Sequence, residues 1–113
     1  MHEMSLCQGV LQVIQDHALK DGFSRVKTVW LEIGELAGVE IEAMRFSYDA
    51  VMRETLADRS RLEIIELAGS AWCLPCEKNV RVRRRYDGCP DCGSYQLQIT
   101  GGDEMRIKEL EVE

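Results

Sequence analysis

The sequence has little proline, few aromatic residues and no long apolar run. Of its 113 residues, 2 are proline and 6% are aromatic. No apolar stretch approaches the roughly 18 residues that a membrane-spanning helix needs, so we expect no membrane partner. The amino terminus has no basic segment followed by an apolar core, which argues against a secretory signal. We therefore expect a cytoplasmic protein.

Basic residues are also scarcer than acidic ones. The chain has 14 Lys and Arg against 20 Asp and Glu, a net charge of -6. This balance argues against a general nucleic-acid-binding protein. The charge is uneven: it is −5 over residues 1–69, +2 over residues 70–98 and −3 over residues 99–113. Such asymmetry suggests two modules with different surfaces.

Arrangements typical of enzymes are missing as well. We find no Ser/His/Asp or Cys/His pattern and no phosphate-binding loop. Four glutamates suggest a paired-carboxylate site, but they have no base or nucleophile nearby, and we interpret them as acidic surface; they are Glu32, Glu35, Glu40 and Glu42. We therefore do not expect an enzyme.

The most informative feature present is a pair of C-x-x-C motifs. Cys73 and Cys76 form the first motif, and Cys89 and Cys92 form the second after twelve intervening residues. Four thiolates complete the tetrahedral coordination of zinc and leave no open position, so we predict a structural zinc ion. In a reducing compartment such pairs bind metal more often than they form disulfides. Two disulfides, a redox dithiol and a rubredoxin-like iron site are the alternatives.

Apolar periodicity places the remaining elements. A first amphipathic helix ends near Asp21-Gly22; its apolar positions are Met4, Cys7, Val10, Leu11, Ile14 and Ala18. Apolar residues on both faces of Val26–Ile33 predict a covered strand. A second helix should run from Ile41 to about Leu56, followed by a strand over Leu62–Leu67. The alternation over Met105–Val112 changes phase near Lys108-Glu109, which predicts a strand with a bulge.

These elements predict a small α+β fold with an inserted zinc ribbon. Two strands make a poor sheet, so we expect Glu104–Val112 to return as the third strand of a mixed sheet. Residues 1–69 and 102–113 would form this domain, and residues 70–101 would form the ribbon. Within the ribbon we expect the β-prone segment Val80–Tyr86 to form a hairpin with the chain after Cys92.

The amino terminus offers a second set of metal ligands. In Met1-His2-Glu3, the Met1 amine, the His2 backbone nitrogen and the imidazole Nδ1 can close fused chelate rings on one ion. A nitrogen-rich planar set suits Ni(II) or Cu(II). Imidazole binds metal only when neutral, so affinity should fall below about pH 6.5. From these residues alone, an ordinary exposed terminus is the competing interpretation.

Together these motifs resemble the HypA/HybF family of hydrogenase maturation factors, which deliver nickel. The resemblance spans the chain: Met1-His2-Glu3 opens a helix, Gly34-Glu35-Leu36 follows a strand, and the two cysteine pairs precede a short closing strand. It implies that residues 1–69 and 102–113 are a nickel-binding domain, and that the chain is a metallochaperone for nickel–iron hydrogenase.

The resemblance also implies roles for particular residues. His2 is the expected nickel ligand, Glu3 assists, and Glu40 occupies the place of an acidic residue that is a further proposed contact. The zinc ligands are expected to be Cys73, Cys76, Cys89 and Cys92. The implied partners are a maturation GTPase and the large subunit of a nickel–iron hydrogenase.

The remaining reactive or charged residues have simpler interpretations. Cys7 lies on the apolar stripe of the first helix and should be a buried small hydrophobe. His17, near the end of that helix, should be an ordinary surface residue. The only basic cluster suggests a solvated face or a protein-docking patch; it comprises Arg81, Arg83, Arg84 and Arg85. A zinc ribbon that binds nucleic acid or protein and a thiol oxidoreductase are the alternative functions.

Overall fold

The computed structural model of the chain describes residues 2–113. Its elements are α1 (His2–Asp21), β1 (Val26–Gly34), α2 (Ile41–Met52), β2 (Arg61–Leu67), β3 (Ser70–Cys73), β4 (Lys78–Arg81), β5 (Leu97–Gly101) and β6 (Met105–Val112). The strands form two three-stranded sheets, with the orders β2-β1-β6 and β4-β3-β5. The predicted α+β class is confirmed, since β6 joins the sheet of β1 and β2 and a separate antiparallel sheet carries the cysteine motifs.

The first sheet matches the sequence patterns closely. β1 is its central strand, and most of its residues are buried, as the apolar groups on both faces predicted. In β6, partly buried residues alternate with exposed ones until Lys108 and Glu109, which are both exposed. The predicted change of phase is therefore present at that place in the strand, and the bulge stays a prediction.

The predicted hairpin in the ribbon is wrong. β4 and β5 do not pair with each other; each pairs antiparallel with β3, one on either side. The reason lies in Ala71, which is fully buried and faces Val80 on one side and Ile99 on the other. These apolar cross-strand pairs make β3 the central strand.

The second helix is shorter than predicted. It ends at Met52 and not near Leu56. Glu54 has a positive φ of 62°, a backbone conformation that cannot continue a right-handed helix. Both the backbone N–H and the hydroxyl of Thr55 donate to the Met52 carbonyl, which closes the last turn.

The chain divides into two compact units. The first comprises residues 2–31, Val39–Ile64 and Ile107–Glu113, and the second comprises Glu32–Gly38 and Ile65–Arg106. In the first unit Cys7 is fully buried as predicted, with its Sγ 3.7 Å from the Met44 Sδ. The predicted division into residues 1–69 with 102–113 and an inserted ribbon of residues 70–101 stays a prediction. Among residues 2–113, no helix is both long and apolar enough to cross a membrane.

Candidate functional site

The two C-x-x-C motifs form turns with the same hydrogen bond. In each turn the residue after the second cysteine donates its N–H to the carbonyl of the first: Glu77 to Cys73 and Gly93 to Cys89, both at 2.8 Å. Glu77 and Gly93 both have positive φ, 52° and 77°. The shared geometry explains why glycine suits the second turn.

The turns bring the four cysteine sulfurs together. The Sγ atoms of Cys73 and Cys92 are 3.6 Å apart, those of Cys76 and Cys89 are 4.0 Å apart, and all four lie within 4.8 Å of one another. A tetrahedral zinc ion with Zn–S bonds of about 2.3 Å places its sulfurs about 3.8 Å apart. A disulfide needs about 2.05 Å, and all five cysteines of the chain are free. The geometry fits one tetrahedral ion.

The protonation of the cluster also depends on whether a cation is present. Burial raises the pKa of the Cys73 thiol, and hydrogen bonds with the Cys92 and Cys73 thiols raise the pKa of Cys76 to about 12. Burial opposes ionisation of Cys89 too, but the backbone N–H groups of Cys92 and Asp91 and the thiols of Cys73 and Cys92 together lower its pKa to about 7. Four adjacent thiolates therefore require a positive ion.

Zinc binding to the cluster should strengthen as pH rises. The ion must displace protons from Cys73 and Cys76, whose pKa values are raised, so affinity is lost as pH falls through the neutral range. We expect release of at least about two protons per zinc near pH 7, and thus at least about a hundredfold loss of affinity per pH unit. Calorimetry in buffers of different ionisation enthalpy measures this release. Release of fewer than about one proton would contradict the assignment.

The predicted nickel residues lie where α1 and α2 begin. His2 starts α1, and its side chain is 59% exposed, whereas that of Glu3 is 14% exposed. The Glu3 Oε2 lies 3.6 Å from the His2 Nδ1 and accepts the Glu40 backbone N–H at 3.1 Å. Met1, whose amine was a predicted ligand, lies outside the described residues.

Glu40 has a structural role that the sequence analysis did not predict. It is the N-cap of α2, and its two carboxylate oxygens accept the backbone N–H groups of Glu42 and Ala43, each at 3.1 Å. The Glu40 backbone N–H in turn lowers the pKa of Glu3, so that carboxylate is charged. The position of Glu40 just before the apolar pattern of α2 was the available signal.

The structure thus brings His2, Glu3 and the Glu40 backbone together without a preassembled cage of side chains. Within residues 2–113, the four cysteines are the one group of three or more His, Cys, Asp or Glu side chains that could hold a metal ion together. The other histidine, His17, lies near the end of α1 with its Nδ1 3.8 Å from the Asp21 Oδ2. A nickel site at His2 would therefore need ligands other than a cluster of the described side chains, and backbone nitrogen is one such source.

Comparison with known proteins decides the family. The model of a family described as "Hydrogenase/urease nickel incorporation, metallochaperone, hypA" matches residues 1–112. The chain belongs to the HypA family. It is 63% identical to the hydrogenase maturation factor HypA of Alkalilimnicola ehrlichii and 56% identical to that of Azotobacter vinelandii, over the whole length of each chain.

Solved HypA structures have the same fold. The solution structure of the Ni metallochaperone HypA from Helicobacter pylori superimposes with a TM-score of 0.70, covering 97% of this chain and 96% of that one. At 24% identity, this likeness supports the fold alone. A second HypA solution structure gives a TM-score of 0.69 at 25% identity and covers 99% and 96% of the two chains.

Family membership confirms the main functional predictions. HypA proteins are nickel metallochaperones of hydrogenase maturation and are not catalytic, as the sequence motifs indicated. The four-cysteine cluster of this HypA protein is consistent with zinc. Family membership therefore favours the metallochaperone function over the two alternatives, a thiol oxidoreductase and a nucleic-acid-binding ribbon.

Proposed function

We propose that this HypA protein binds Ni(II) at its amino terminus through the His2 imidazole and delivers it to nickel–iron hydrogenase. The observation that carries the proposal is the exposed His2 side chain at the start of α1, beside the charged Glu3 carboxylate. Imidazole nitrogen suits Ni(II), and an exposed site suits an ion that must be handed over.

Backbone nitrogens support the proposal. The first N–H groups of an α-helix have no acceptor within the helix, and His2 and Glu3 are the first two residues of α1. Their amide nitrogens can therefore lose a proton to the metal without breaking a helical hydrogen bond. The Met1 amine, as one further nitrogen donor, would complete a planar set of the kind that Ni(II) prefers.

The two carboxylates are not equally well placed to assist. Glu3 approaches the His2 Nδ1 and is fixed by its hydrogen bond from the Glu40 N–H. The Glu40 carboxylate is occupied by two backbone donors of α2, so ligation by Glu40 would compete with the helix cap. We propose Glu3 as the assisting ligand or orienting group, and Glu40 as a weaker contributor.

We propose that the other metal is a structural zinc held by Cys73, Cys76, Cys89 and Cys92. Four sulfurs fill a tetrahedral coordination sphere, so the cluster offers no open position for cargo. Unpaired thiols of this kind suit a reducing cytoplasm. The proposed partners are the maturation GTPase and the hydrogenase large subunit, with neither nucleic acid nor membrane involved.

A chromosomal His2→Ala substitution tests the proposed function. We expect hydrogenase purified from that strain to lose at least about nine-tenths of its nickel and activity, because removal of a ligand costs more than the tenfold to hundredfold of a supporting group. The matched control is His17→Ala, which removes the other histidine. Equal protein levels must be verified by immunoblot. Normal hydrogenase nickel in the His2→Ala strain would overturn the proposal.

A further inference from the structure

The four arginines of the basic cluster divide into two pairs. Arg81 donates from Nη2 to the Glu35 Oε2 at 2.9 Å, and Arg85 donates from Nε to the Leu36 carbonyl at 3.0 Å. Glu35 also accepts the Gly69 N–H, at 2.9 Å. Arg81 and Arg85 therefore hold the chain segment that carries Leu36. Their guanidinium groups already have partners within the protein.

The other two arginines have no such partner. Arg83 and Arg84 are both exposed, and neither forms an ion pair with a carboxylate within 4.0 Å among residues 2–113. The Arg84 guanidinium carbon instead lies 5.9 Å from the centre of the Tyr86 ring, within cation–π range. Both charges remain accessible to a ligand, although Arg83 also acts at longer range on Glu35, whose pKa is lowered mainly by the Gly69 N–H and by Arg81.

Two exposed tyrosines accompany the free arginines. Tyr86 is 72% exposed and Tyr95 is 77% exposed. The Tyr95 ring lies against Gly88, where an added Cβ would be 3.4 Å from the ring Cε1, and Gly88 is two residues after Tyr86. Arg83, Arg84 and Tyr86 are thus neighbours in one exposed segment of the second unit, and Tyr95 lies against Gly88 of the same loop; we call these four residues the Arg–Tyr surface.

The composition of this surface is that of a protein interface. Arginine and tyrosine are the residue types enriched at binding hot spots, because they combine a large contact area with directed hydrogen bonds. No catalytic or metal-binding task accounts for them, since the four cysteines supply the metal ligands of this unit. Among residues 2–113 their side chains form no hydrogen bond, and the contact between them is that of the Arg84 guanidinium with the Tyr86 ring.

We propose that the Arg–Tyr surface docks an acidic segment of a partner protein. A guanidinium binds a carboxylate through two parallel hydrogen bonds, and the tyrosine rings can pack against the intervening chain. Charge complementarity thus identifies the partner as acidic.

Nucleic acid fits this surface less well. DNA-binding proteins neutralise roughly 6–10 phosphates, whereas only two arginines are free here. The net charge of the chain is -6, and Asp87 and Asp91 lie in the same loop as Tyr86. Two carboxylates are enough to match the two free charges, which favours an acidic peptide segment.

The test uses the full-length, zinc-loaded, nickel-free protein. The probes are a fluorescent twelve-residue peptide of Asp, Glu and Leu, its counterpart with Lys in place of the acids, and single-stranded DNA and RNA of twelve nucleotides. We expect binding of the acidic peptide alone, weakened by added salt, and at least about tenfold weaker for the double variant Arg83→Gln/Arg84→Gln.

Matched variants make the result specific. Arg59→Gln/Arg61→Gln removes two exposed arginines from the first unit and should bind the peptide as the unchanged protein does. Tyr86→Phe should retain binding and Tyr86→Ala should lose it, because the ring provides the packing. Zinc content and circular dichroism verify that each variant is folded.

Four results would overturn the proposal. They are no binding of any probe, tighter binding of DNA or RNA than of the acidic peptide, unchanged binding by Arg83→Gln/Arg84→Gln, and equal loss in the Arg59→Gln/Arg61→Gln control. The surface makes no use of His2, so the His2→Ala protein should bind the peptide normally. Failure of the nickel proposal would thus leave this result unchanged, and the two can be distinguished.

Discussion

Replacing His2 by alanine is expected to abolish nickel binding while leaving one zinc ion per chain. The imidazole is the one side-chain nitrogen in the first turn of α1, and the nearby carboxylate of Glu3 is a hard oxygen donor that suits Ni(II) less well. We expect at least about a hundredfold weaker nickel affinity, since even groups that only support a ligand contribute tenfold to hundredfold. Calorimetric titration of protein without an amino-terminal tag measures it.

His17→Ala is the control for that titration. It removes the same chemical group from the same helix, at an exposed position where the Nδ1 lies 3.8 Å from the Asp21 Oδ2. Nickel affinity should be unchanged, and zinc content should be equal in both variants and in the unaltered protein. Similar nickel affinity in the His2→Ala and His17→Ala proteins would contradict the terminal site.

Removal of zinc is expected to unfold the second unit, Glu32–Gly38 and Ile65–Arg106. Its buried core is small, and two of its six members are cysteines of the four-sulfur cluster; the core comprises Leu36, Ala71, Cys73, Val80, Val82 and Cys89. Such a small core gives little stability by itself. In zinc-finger peptides a structural zinc contributes about 10–16 kcal/mol near pH 7, which matches the whole free energy of unfolding of an ordinary domain, about 5–15 kcal/mol.

Hydrogen exchange measures this loss residue by residue. After chelation, or in a Cys76→Ser protein, amides of β3, β4 and β5 should exchange at least about a hundredfold faster, whereas those of α1 and α2 should keep their protection. Cys7→Ala is the matched control, because Cys7 is buried against Met44 and takes no part in the cluster. That variant should retain its zinc. Equal protection of β3 with and without metal would contradict a structural role.

Local patterns predicted much of this molecule. The spacing of the cysteines sufficed to predict the four-sulfur cluster, since each C-x-x-C turn closes within five residues through its own backbone. The covered strand and the returning last strand followed from apolar residues on both faces of β1 and from the need for a third strand. These features depend on short-range geometry or on burial, and both produce a recognisable residue pattern in the sequence.

Features that depend on distant pairing were missed. β3 has only four residues, too few to show a period, and its central place depends on Val80 and Ile99 lying on either side of Ala71. The hydrogen bond from the Glu40 N–H to Glu3 joins residues 37 positions apart, and nothing local indicates it. The split of the arginine cluster likewise depends on Glu35, which is 46 positions from Arg81.

X-ray absorption at the nickel and zinc edges of the protein loaded with one ion of each tests the account most directly. The predicted zinc spectrum shows four sulfurs at about 2.3 Å, and the predicted nickel spectrum shows only nitrogen and oxygen neighbours, including an imidazole that is absent in the His2→Ala protein. Sulfur bound to nickel, or a nickel spectrum that the loss of His2 leaves unchanged, would contradict separate sites for the two metals.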